Sequence, residues 1–503
     1  MPRPVPLRGV IEGFYGPPWS HDARLEVVEF LAGYAMNAYV YAPKSDPKHR
    51  ERWRDPYDPS ELARLAELAA RCAEVGSSFG FALSPGLDIG YRDERDRATL
   101  LDKLAPMADA GVAWFVLAVD DISNRPGLAD EQATLTQWLV AALRERRGDD
   151  LRCSLVPTEY VGTHPSPYLT TLASELPDDV DVFWTGPTVC SPTITAADAH
   201  RWRDAIGRHP LLLWDNYPVN DAVMERELHL GPYRGRDVGL TDVVDGILCN
   251  PMLQPRASLV ALATAADYLA DPDGYDEDAA WERAIAAVGG SNAELLRPLA
   301  RACCDGPLAG PEILPATTLT DRVEATLDGA DWTEPVAELR DELVALRTSA
   351  RSWEADDPLH AELEPWLQQA GREADAALAA LRLLQQTHAI TVAGDDATTL
   401  APDPETALIH AFALLFTWSA ARDAPPRVVL GPRFAIHPAV VQRADGSPTL
   451  DVGLALREDA SIVDRLARLA LARYERNVAS PERRPPGHAV TADALPFRDP
   501  RLS

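Results

Sequence analysis

Two adjacent carboxylates, Asp120 and Asp121, follow directly after a fully apolar segment of the chain, residues 113–119. An uninterrupted apolar run bounded by polar residues is typical of a strand buried on both faces, as in a parallel sheet. Because the two neighbouring acids repel each other's charge, we expect them to titrate in two steps, with one acid protonated near neutral pH. General acid catalysis requires such a protonated acid.

The adjacency of these two acids favours one kind of chemistry over another. A conventional retaining glycosidase holds its acid and its nucleophile on carboxyl groups about 5–5.5 Å apart, flanking the bond to be cleaved. Consecutive strand residues point to opposite sides, so Asp120 and Asp121 are poorly placed for that arrangement. They suit a substrate that carries its own nucleophile, such as a 2-acetamido sugar. One carboxylate would hold the amide N–H while the other protonates the leaving oxygen.

Other uncommon polar residues are predicted to follow strands in the same way. In a barrel of parallel strands, the C-terminal ends of all strands meet at one mouth, where chemistry is done. Each residue alone could be a cap, a turn residue or a buried aromatic with its polar end satisfied. Lys44 is harder to explain in that way, because the chain has only three lysines and keeps a compact ammonium here. Together with the two acids, the residues predicted to follow strands are Gly13, Lys44, Asp120, Asp121, Glu159, Tyr160, Asp215, Asn216, Asp221 and Asn250.

Strand-like and helical segments alternate from residue 7 to residue 270. Such alternation predicts parallel strands joined by helical crossovers, and eight units favour a (β/α)8 TIM barrel, an α/β fold, over an open doubly wound sheet. The predicted strands are 7–14, 38–41, 79–83, 113–119, 153–156, 180–184, 211–214 and 246–249. The predicted helices follow N-caps at Ser20 and Ser60, begin at Thr99, and cover 130–146, 196–206 and 256–270.

Two kinds of site are not predicted. No GxGxxG follows the first strand, so the signature of a dinucleotide-binding sheet is missing from the sequence. No His or third carboxylate stands at ligand spacing beside Asp120 and Asp121, as a metal centre would need. We therefore predict neither a metal nor an organic cofactor.

Beyond the predicted barrel, which covers 1–272, the pattern changes to helix alone. Amphipathic stretches predict a helical bundle over 273–422 that packs behind the barrel. Strand-like pieces at 427–430 and 450–456 and a helix capped by Ser461 predict a small α+β segment over 423–479 of unknown role. The Pro- and Arg-rich tail, 480–503, is predicted to be disordered. The amphipathic stretches are 278–288, 292–304, 318–327, 334–352, 358–387 and 404–420.

The composition excludes several classes of partner. The 503-residue chain has a formal net charge of -29 at pH 7, which argues against nucleic acid and anionic membranes. Its six cysteines form no CxxC pair, as is typical of buried thiols in a reducing compartment. The sequence begins without an apolar signal segment and has no run long enough to span a bilayer, so we expect a cytoplasmic protein.

The motifs around the strand-end residues resemble glycoside hydrolase family 84, the O-GlcNAcase and hyaluronidase-type β-N-acetylglucosaminidases. They occur in the family's order between residues 7 and 270, and their combination is highly specific. The matching segments are RGVIEGFYG (8–16), YAPK (41–44), DDI (120–122), PTEY (157–160), WTG (184–186), WDN (214–216) with Asp221, and NP (250–251).

The resemblance implies a barrel enzyme that hydrolyses terminal β-linked GlcNAc with retention, by substrate-assisted catalysis through an oxazoline intermediate. Asp120 would orient and polarise the N-acetyl group, and Asp121 would be the general acid and base. Tyr160 would assist the acetamido group, and Trp214 would form part of its pocket. The residues implied to bind sugar hydroxyls or the acetamide are Gly13 (through its backbone), Lys44, Asn216, Asp221 and Asn250.

We therefore predict an exo-β-N-acetylglucosaminidase whose partner is a GlcNAc-bearing glycoside or glycoprotein, with the helical region as a candidate homodimer interface. Three alternatives remain open. In a conventional double displacement, Asp121 or Glu159 would be the acid and Asp215 the nucleophile. The barrel could instead bind glycans without cleaving them. Finally, the helical region could make the chain mainly a partner-docking protein.

Overall fold

The computed structural model describes most of the chain, and the predicted tail at 480–503 lies outside the described residues. No helix in the described part combines the length and apolar character that a membrane span needs. The described residues are 5–148, 150–304, 315–327, 332–354, 356–392, 404–423, 429–430, 434–442, 448–456 and 461–479.

Eight parallel strands form a closed barrel, which confirms the predicted TIM-barrel fold. They are β1 (Leu7–Glu12), β2 (Ala38–Tyr41), β3 (Ser78–Leu83), β4 (Trp114–Ala118), β5 (Arg152–Val156), β6 (Asp181–Trp184), β7 (Leu211–Asp215) and β8 (Gly246–Cys249). Each strand pairs with the next along the chain, and β1 closes the barrel by pairing with β8, with Leu7 opposite Gly246. All eight C-terminal ends therefore meet at one mouth.

Seven α-helices connect and flank these strands. They are α1 (His21–Ala32), α2 (Pro59–Glu74), α3 (Glu94–Asp109), α4 (Leu128–Arg147), α5 (Pro167–Glu175), α6 (Ala196–Ile206) and α7 (Pro255–Ala270). Ser20 caps α1 as predicted. The cap of α2 is Asp58 and not Ser60, because Asp58 and Glu61 form a reciprocal capping box. The connection between β7 and β8 contains two short 3-10 helices, Ala222–Met224 and Val238–Asp242.

The barrel interior is filled by side chains from alternate strand positions. Val116 and Ala118 of β4 belong to this inner cluster with Phe183 and Trp214, whereas Phe115 of β4 packs outward in the cluster that includes the helices. Both faces of β4 are thus buried, as its uninterrupted apolar sequence predicts. The packing fixes the end of β4, from which the two acids project.

Further helices follow the barrel: α8 (Glu277–Gly289), α9 (Ala293–Ala302), α10 (Pro315–Thr326), α11 (Thr333–Ser352), α12 (Pro358–Val392), α13 (Pro404–Asp423) and α14 (Ile462–Tyr474). Helix α12 packs against α11, α13, α14 and α7. On α12, Glu362 accepts hydrogen bonds of 2.9 and 3.1 Å from the backbone N–H groups of Arg256 and Ala257 at the start of α7. The division of the chain near residue 272 into separate domains stays a prediction, as does the homodimer.

The region beyond α13 differs in part from its prediction. An antiparallel pair forms between β9 (Phe434–Gln442) and β10 (Pro448–Leu456). The predicted strand at 450–456 lies within β10. Of the strand predicted at 427–430, the described residues Val429 and Leu430 are not in a strand, and 427–428 lie outside the described residues. Ser461 caps α14 as predicted, and its hydroxyl accepts from the N–H of Asp464.

Candidate active site

Asp120 and Asp121 lie just beyond the end of β4, at the mouth of the barrel. The side chain of Asp120 is 6% exposed, whereas that of Asp121 is 27% exposed. The ammonium of Lys44, which follows β2, contacts Oδ2 of Asp120 and lies 3.9 Å from Oδ2 of Asp121. Both carboxylates therefore face one buried cation, and the prediction that they point to opposite sides is wrong.

The backbone explains this correction. Strand β4 ends at Ala118, so the alternation of side chains that holds within a strand does not extend to Asp120 and Asp121. Asp121 has φ 56°, in the left-handed region that few residues other than glycine adopt and that Asp tolerates better than most. The chain therefore turns sharply at Asp121 as it leaves the barrel.

The two acids differ in their hydrogen bonds and in their pKa. Asp121 accepts from the phenol of Tyr15 at 2.6 Å and from that of Tyr160 at 2.7 Å. Burial opposes ionisation of Asp121, but the charge of Lys44 and the two phenols outweigh it and lower the pKa of this carboxyl. Burial raises the pKa of Asp120 despite the contact with Lys44. The acid that keeps its proton more readily is thus Asp120 and not Asp121, the predicted general acid.

A second group of predicted residues forms a hydrogen-bonded chain across the mouth. The N–H of Gly13 donates to Oδ1 of Asn250 at 3.2 Å, and Nδ2 of Asn250 donates to Oδ1 of Asn216 at 2.9 Å. The same Asn216 oxygen accepts from the indole N–H of Trp214 at 3.0 Å. The amide nitrogen of Asn216 donates to the carbonyl of Val189 at 2.6 Å. These side chains hold one another in fixed orientations.

Gly13 allows the backbone to approach the indole of Trp214 closely, as this row of hydrogen bonds requires. A Cβ atom at this position would lie 2.1 Å from the ring of Trp214, so no larger residue fits without moving the indole. The ammonium of Lys44 lies 5.6 Å from the centroid of the Trp214 ring, within cation–π range. The indole of Trp214 thus connects the hydrogen bonds around Asn216 to the ammonium of Lys44, which faces the two acids.

Tyr15 joins Asp221 to the same site, although it was not among the predicted site residues. Its backbone N–H donates to Oδ2 of Asp221 at 2.7 Å, while its phenol donates to Asp121. Burial raises the pKa of Asp221. The sequence did contain a signal for Tyr15, because it stands two residues after Gly13 in the EGFYG segment. All nine predicted site residues are therefore linked, directly or through Tyr15.

Asp215, the nucleophile of the alternative mechanism, has different surroundings. It is 1% exposed, and both its oxygens are occupied by the connection between β7 and β8. Oδ1 accepts from Nη2 of Arg236 at 2.5 Å, and Oδ2 accepts from Nε of Arg236 at 2.8 Å and from the phenol of Tyr233 at 2.5 Å. Glu159 accepts from the amide of Asn124 at 2.6 Å.

The sequence of residues 8–301 matches the family model described as NAGidase, beta-N-acetylglucosaminidase. The chain belongs to the β-N-acetylglucosaminidase family. Two proteins named protein O-GlcNAcase, from Rattus norvegicus and Mus musculus, are each 36% identical to it over 284 residues. The aligned region covers 54% of this β-N-acetylglucosaminidase family member and 31% of each relative, so the chain spans about a third of the length of these relatives.

Solved structures extend the similarity of this β-N-acetylglucosaminidase family member beyond the barrel. A mutant of an O-GlcNAc hydrolase from Thermobaculum terrenum is 29% identical, with a TM-score of 0.76 over 94% of this chain and 95% of the other. A protein named CpGH84B is 30% identical, with a TM-score of 0.75 over 84% of this chain and 74% of its own. The likeness to the Thermobaculum terrenum structure thus includes the helices that follow the barrel.

Proposed function

We propose that this protein is a retaining exo-β-N-acetylglucosaminidase of the O-GlcNAcase type, in which the acetamido group of the substrate is the nucleophile. The observation that carries the proposal is the environment of Asp215. Because Arg236 and Tyr233 occupy both its oxygens, Asp215 is not free to attack an anomeric carbon. The double displacement with Asp215 as nucleophile therefore loses its attacking group, while Asp120 and Asp121 remain together at the mouth.

The first step would break the glycosidic bond. The acetamide oxygen attacks the anomeric carbon and forms the oxazoline ring, while the amide N–H is held by the carboxylate of Asp120. Asp121 gives its proton to the departing oxygen. Lys44 contacts Asp120 and lies near Asp121, so it would keep both carboxylates oriented through this step.

Asp121 must carry a proton in this step, although its pKa is low in the free site. A glycosidic oxygen placed beside Asp121 is an acceptor, and an acetamide that takes the phenol of Tyr160 removes a donor. Both changes favour the protonated carboxyl. The amide N–H has the opposite effect on Asp120, because it stabilises the carboxylate. Substrate binding would thus reverse the order of the two pKa values.

The second step would release the sugar. Asp121, now ionised, takes a proton from a water molecule, whose oxygen attacks the anomeric carbon from the face that the aglycone has left. The bond to the acetamide oxygen breaks, and the amide is restored. Two inversions at one carbon give net retention of configuration.

The natural aglycone is proposed to be Ser or Thr of a glycoprotein, because the curated relatives are named protein O-GlcNAcase. Rates on GlcNAc-bearing glycopeptides should exceed rates on GlcNAc disaccharides by at least about tenfold in kcat/KM. Faster hydrolysis of the disaccharides would overturn this assignment and leave the chemistry of the barrel unaffected.

A series of aryl β-glycosides with fluorinated N-acetyl groups tests the nucleophile. Fluorine withdraws electron density from the amide oxygen while changing the size of the methyl group only slightly. If that oxygen attacks, kcat should fall steeply and in order from acetyl through mono-, di- and trifluoroacetyl. A steric effect alone would change KM without that graded dependence of kcat.

Two results would count against the proposal. A flat series in kcat would favour a protein carboxylate as nucleophile over the acetamide. No turnover of any chromogenic β-GlcNAc glycoside, together with measurable binding of GlcNAc, would support the glycan-binding alternative.

A further inference from the structure

Arg50 is buried close to the two acids. Neither the sequence motifs nor the pattern of strand ends singled out this arginine. It lies in the connection that follows β2 and is 6% exposed. Buried guanidinium groups need partners, because an unpaired charge in the interior is strongly destabilising. Its Nη1 donates to the hydroxyl of Ser84 at 2.8 Å, just beyond β3. The guanidinium therefore reaches from the β2 connection to the ends of β3 and β4.

Arg50 approaches Asp120 from the side that Lys44 leaves open. Lys44 contacts Oδ2, whereas Oδ1 is buried and accepts no hydrogen bond from any residue in the described part of the chain. Nη1 of Arg50 lies 3.8 Å from this Oδ1. The carboxylate of Asp120 thus lies between two cations, one at each oxygen.

Arg50 also contacts the backbone of the neighbouring acid. Its Nη2 donates to the carbonyl of Asp121 at 3.4 Å. Asp121 is the residue with the left-handed φ of 56°, a conformation that is strained for a residue with a side chain. One guanidinium therefore holds the side chain of the first acid and the strained turn of the second.

We propose that Arg50 is a positioning residue for the Asp120–Asp121 pair, acting through these contacts and not on the substrate itself. Its side chain is 7% exposed, which leaves little surface for a sugar to touch. The proposal rests on the proposed hydrolase function for its kinetic consequences, but not for the effect of Arg50 on the titration of Asp120.

The charges around the pair determine the sign of the pH effect. The cations are Lys44 and Arg50, because burial and the charge of Lys44 lower the pKa of the neighbouring His49 to about 3 and leave it neutral. The other facing groups are the phenols of Tyr15 and Tyr160, which donate to Asp121, and the carboxyl of Asp221. Without Arg50, one cation would remain for two carboxylates. The titration of Asp120 should then move to higher pH.

Four variants test this role. Arg50→Gln should lower kcat about 10- to 100-fold on an aryl β-GlcNAc glycoside, with KM changed less than about threefold, and should move the acidic limb of the pH profile of kcat, which reports the substrate complex, to higher pH. Arg50→Lys should restore the position of the limb but only part of kcat, because an ammonium lacks the planar fork. Ser84→Ala should lower kcat about threefold, because it removes the hydroxyl that accepts from Nη1 of Arg50. Arg52→Gln, in the same connection but 61% exposed, is the matched control and should match the wild type.

The decisive outcomes do not all depend on turnover. The carboxyl resonance of Asp120 in protein labelled with 13C-aspartate, assigned with Asp120→Asn, should titrate at higher pH in Arg50→Gln than in the wild type. A folded Arg50→Gln protein with wild-type kcat, pH profile and Asp120 titration would overturn the proposal. If Arg50→Gln does not fold, wild-type kcat and pH profiles in both Arg50→Lys and Ser84→Ala would overturn it. A wild-type protein without hydrolase activity would refute the proposed function, while the resonance would still decide the effect of Arg50 on Asp120.

Discussion

Asp120 and Asp215 both stand at the end of a barrel strand, yet their carboxylates have opposite kinds of surroundings. Asp215 has a hydrogen-bond donor on each oxygen and is matched by the charge of Arg236. Asp120 has Lys44 on one oxygen and no hydrogen-bond donor from the described residues on the other. A buried carboxylate whose oxygens all accept hydrogen bonds, such as Asp215, holds the connection between β7 and β8 in place. A carboxylate with an oxygen that accepts no hydrogen bond, such as Asp120, is able to take part in a reaction. Position at the mouth therefore does not by itself mark a catalytic acid.

The largest expected effects concern the two acids after β4, and they should differ in kind. Asp120→Ala should lower kcat about 10³-fold or more on every substrate, because the internal nucleophile is no longer held. Asp121→Ala should cost about 10²–10⁴-fold on alkyl glycosides but little in the first step on glycosides of very acidic phenols, which need no proton. Rates measured across a series of leaving groups would check this. Equal losses in both variants, independent of the leaving group, would contradict the assigned roles.

Lys44→Arg should have the next largest effect. The substitution keeps the charge but puts a wider, planar group where a compact ammonium contacts Asp120 and lies near Trp214. We expect kcat/KM to fall about 100-fold, with a melting temperature near that of the wild type. Steady-state kinetics and thermal unfolding measure the two quantities separately. Kinetics like the wild type would show that the ammonium needs no particular shape at this position.

Asp215→Asn should show the reverse pattern and so tests the comparison directly. It leaves the guanidinium of Arg236 buried without its counter-charge, so the free energy of unfolding should fall by about 3–5 kcal/mol. Activity per folded molecule should stay within about tenfold of the wild type, because Asp215 does not touch the reacting atoms in the proposed mechanism. Urea unfolding and kinetics normalised to folded protein give the two values. A loss of kcat as large as that of Asp120→Ala, without loss of stability, would restore Asp215 as a nucleophile.

The smallest expected effect is that of Tyr15→Phe. This change removes a hydrogen bond that stabilises the ionised form of Asp121, so the pKa of that carboxyl should rise. A general acid with a higher pKa stays protonated to higher pH. The descending limb of the pH profile of kcat, which reports the substrate complex, should therefore move to higher pH, by less than about one unit, and kcat at its optimum should stay within about tenfold of the wild type. A limb that moves to lower pH would contradict the proposed proton donor.

The sequence allowed the barrel to be predicted because its signals are local and periodic. The strand predicted at 246–249 and the helix at 196–206 have those bounds in the structure, and β4 lies within the predicted 113–119. The cap of α2 was missed although its signal was present, since Asp58 and Glu61 have the spacing of a capping box. Val429 and Leu430, at the end of the strand predicted at 427–430, are not in a strand, so a short apolar run does not by itself establish one.

The residues of the candidate site were predicted better than its geometry. Polar residues after strands are visible in a sequence, and the nine residues that the family resemblance assigned to catalysis and substrate binding do come together. The orientation of Asp121 was not predictable, because it depends on a left-handed residue outside the strand where alternation no longer applies. The contacts of Tyr15, Arg50 and Arg236 also could not be read from spacing. Each joins loops that are distant in sequence, and loop conformations carry no period.

The hydrogen bond from Gly13 to Asn250 has a consequence for folding. It joins the end of the first barrel strand to the end of the last, separated by 237 positions in the chain. Contacts of such long sequence separation form slowly, because much of the intervening chain must first be ordered. During synthesis, β1 has no β8 to pair with until residue 249 has been made. A nascent chain released after residue 121 but before that point would contain both acids that follow β4 but could not assemble the mouth around them.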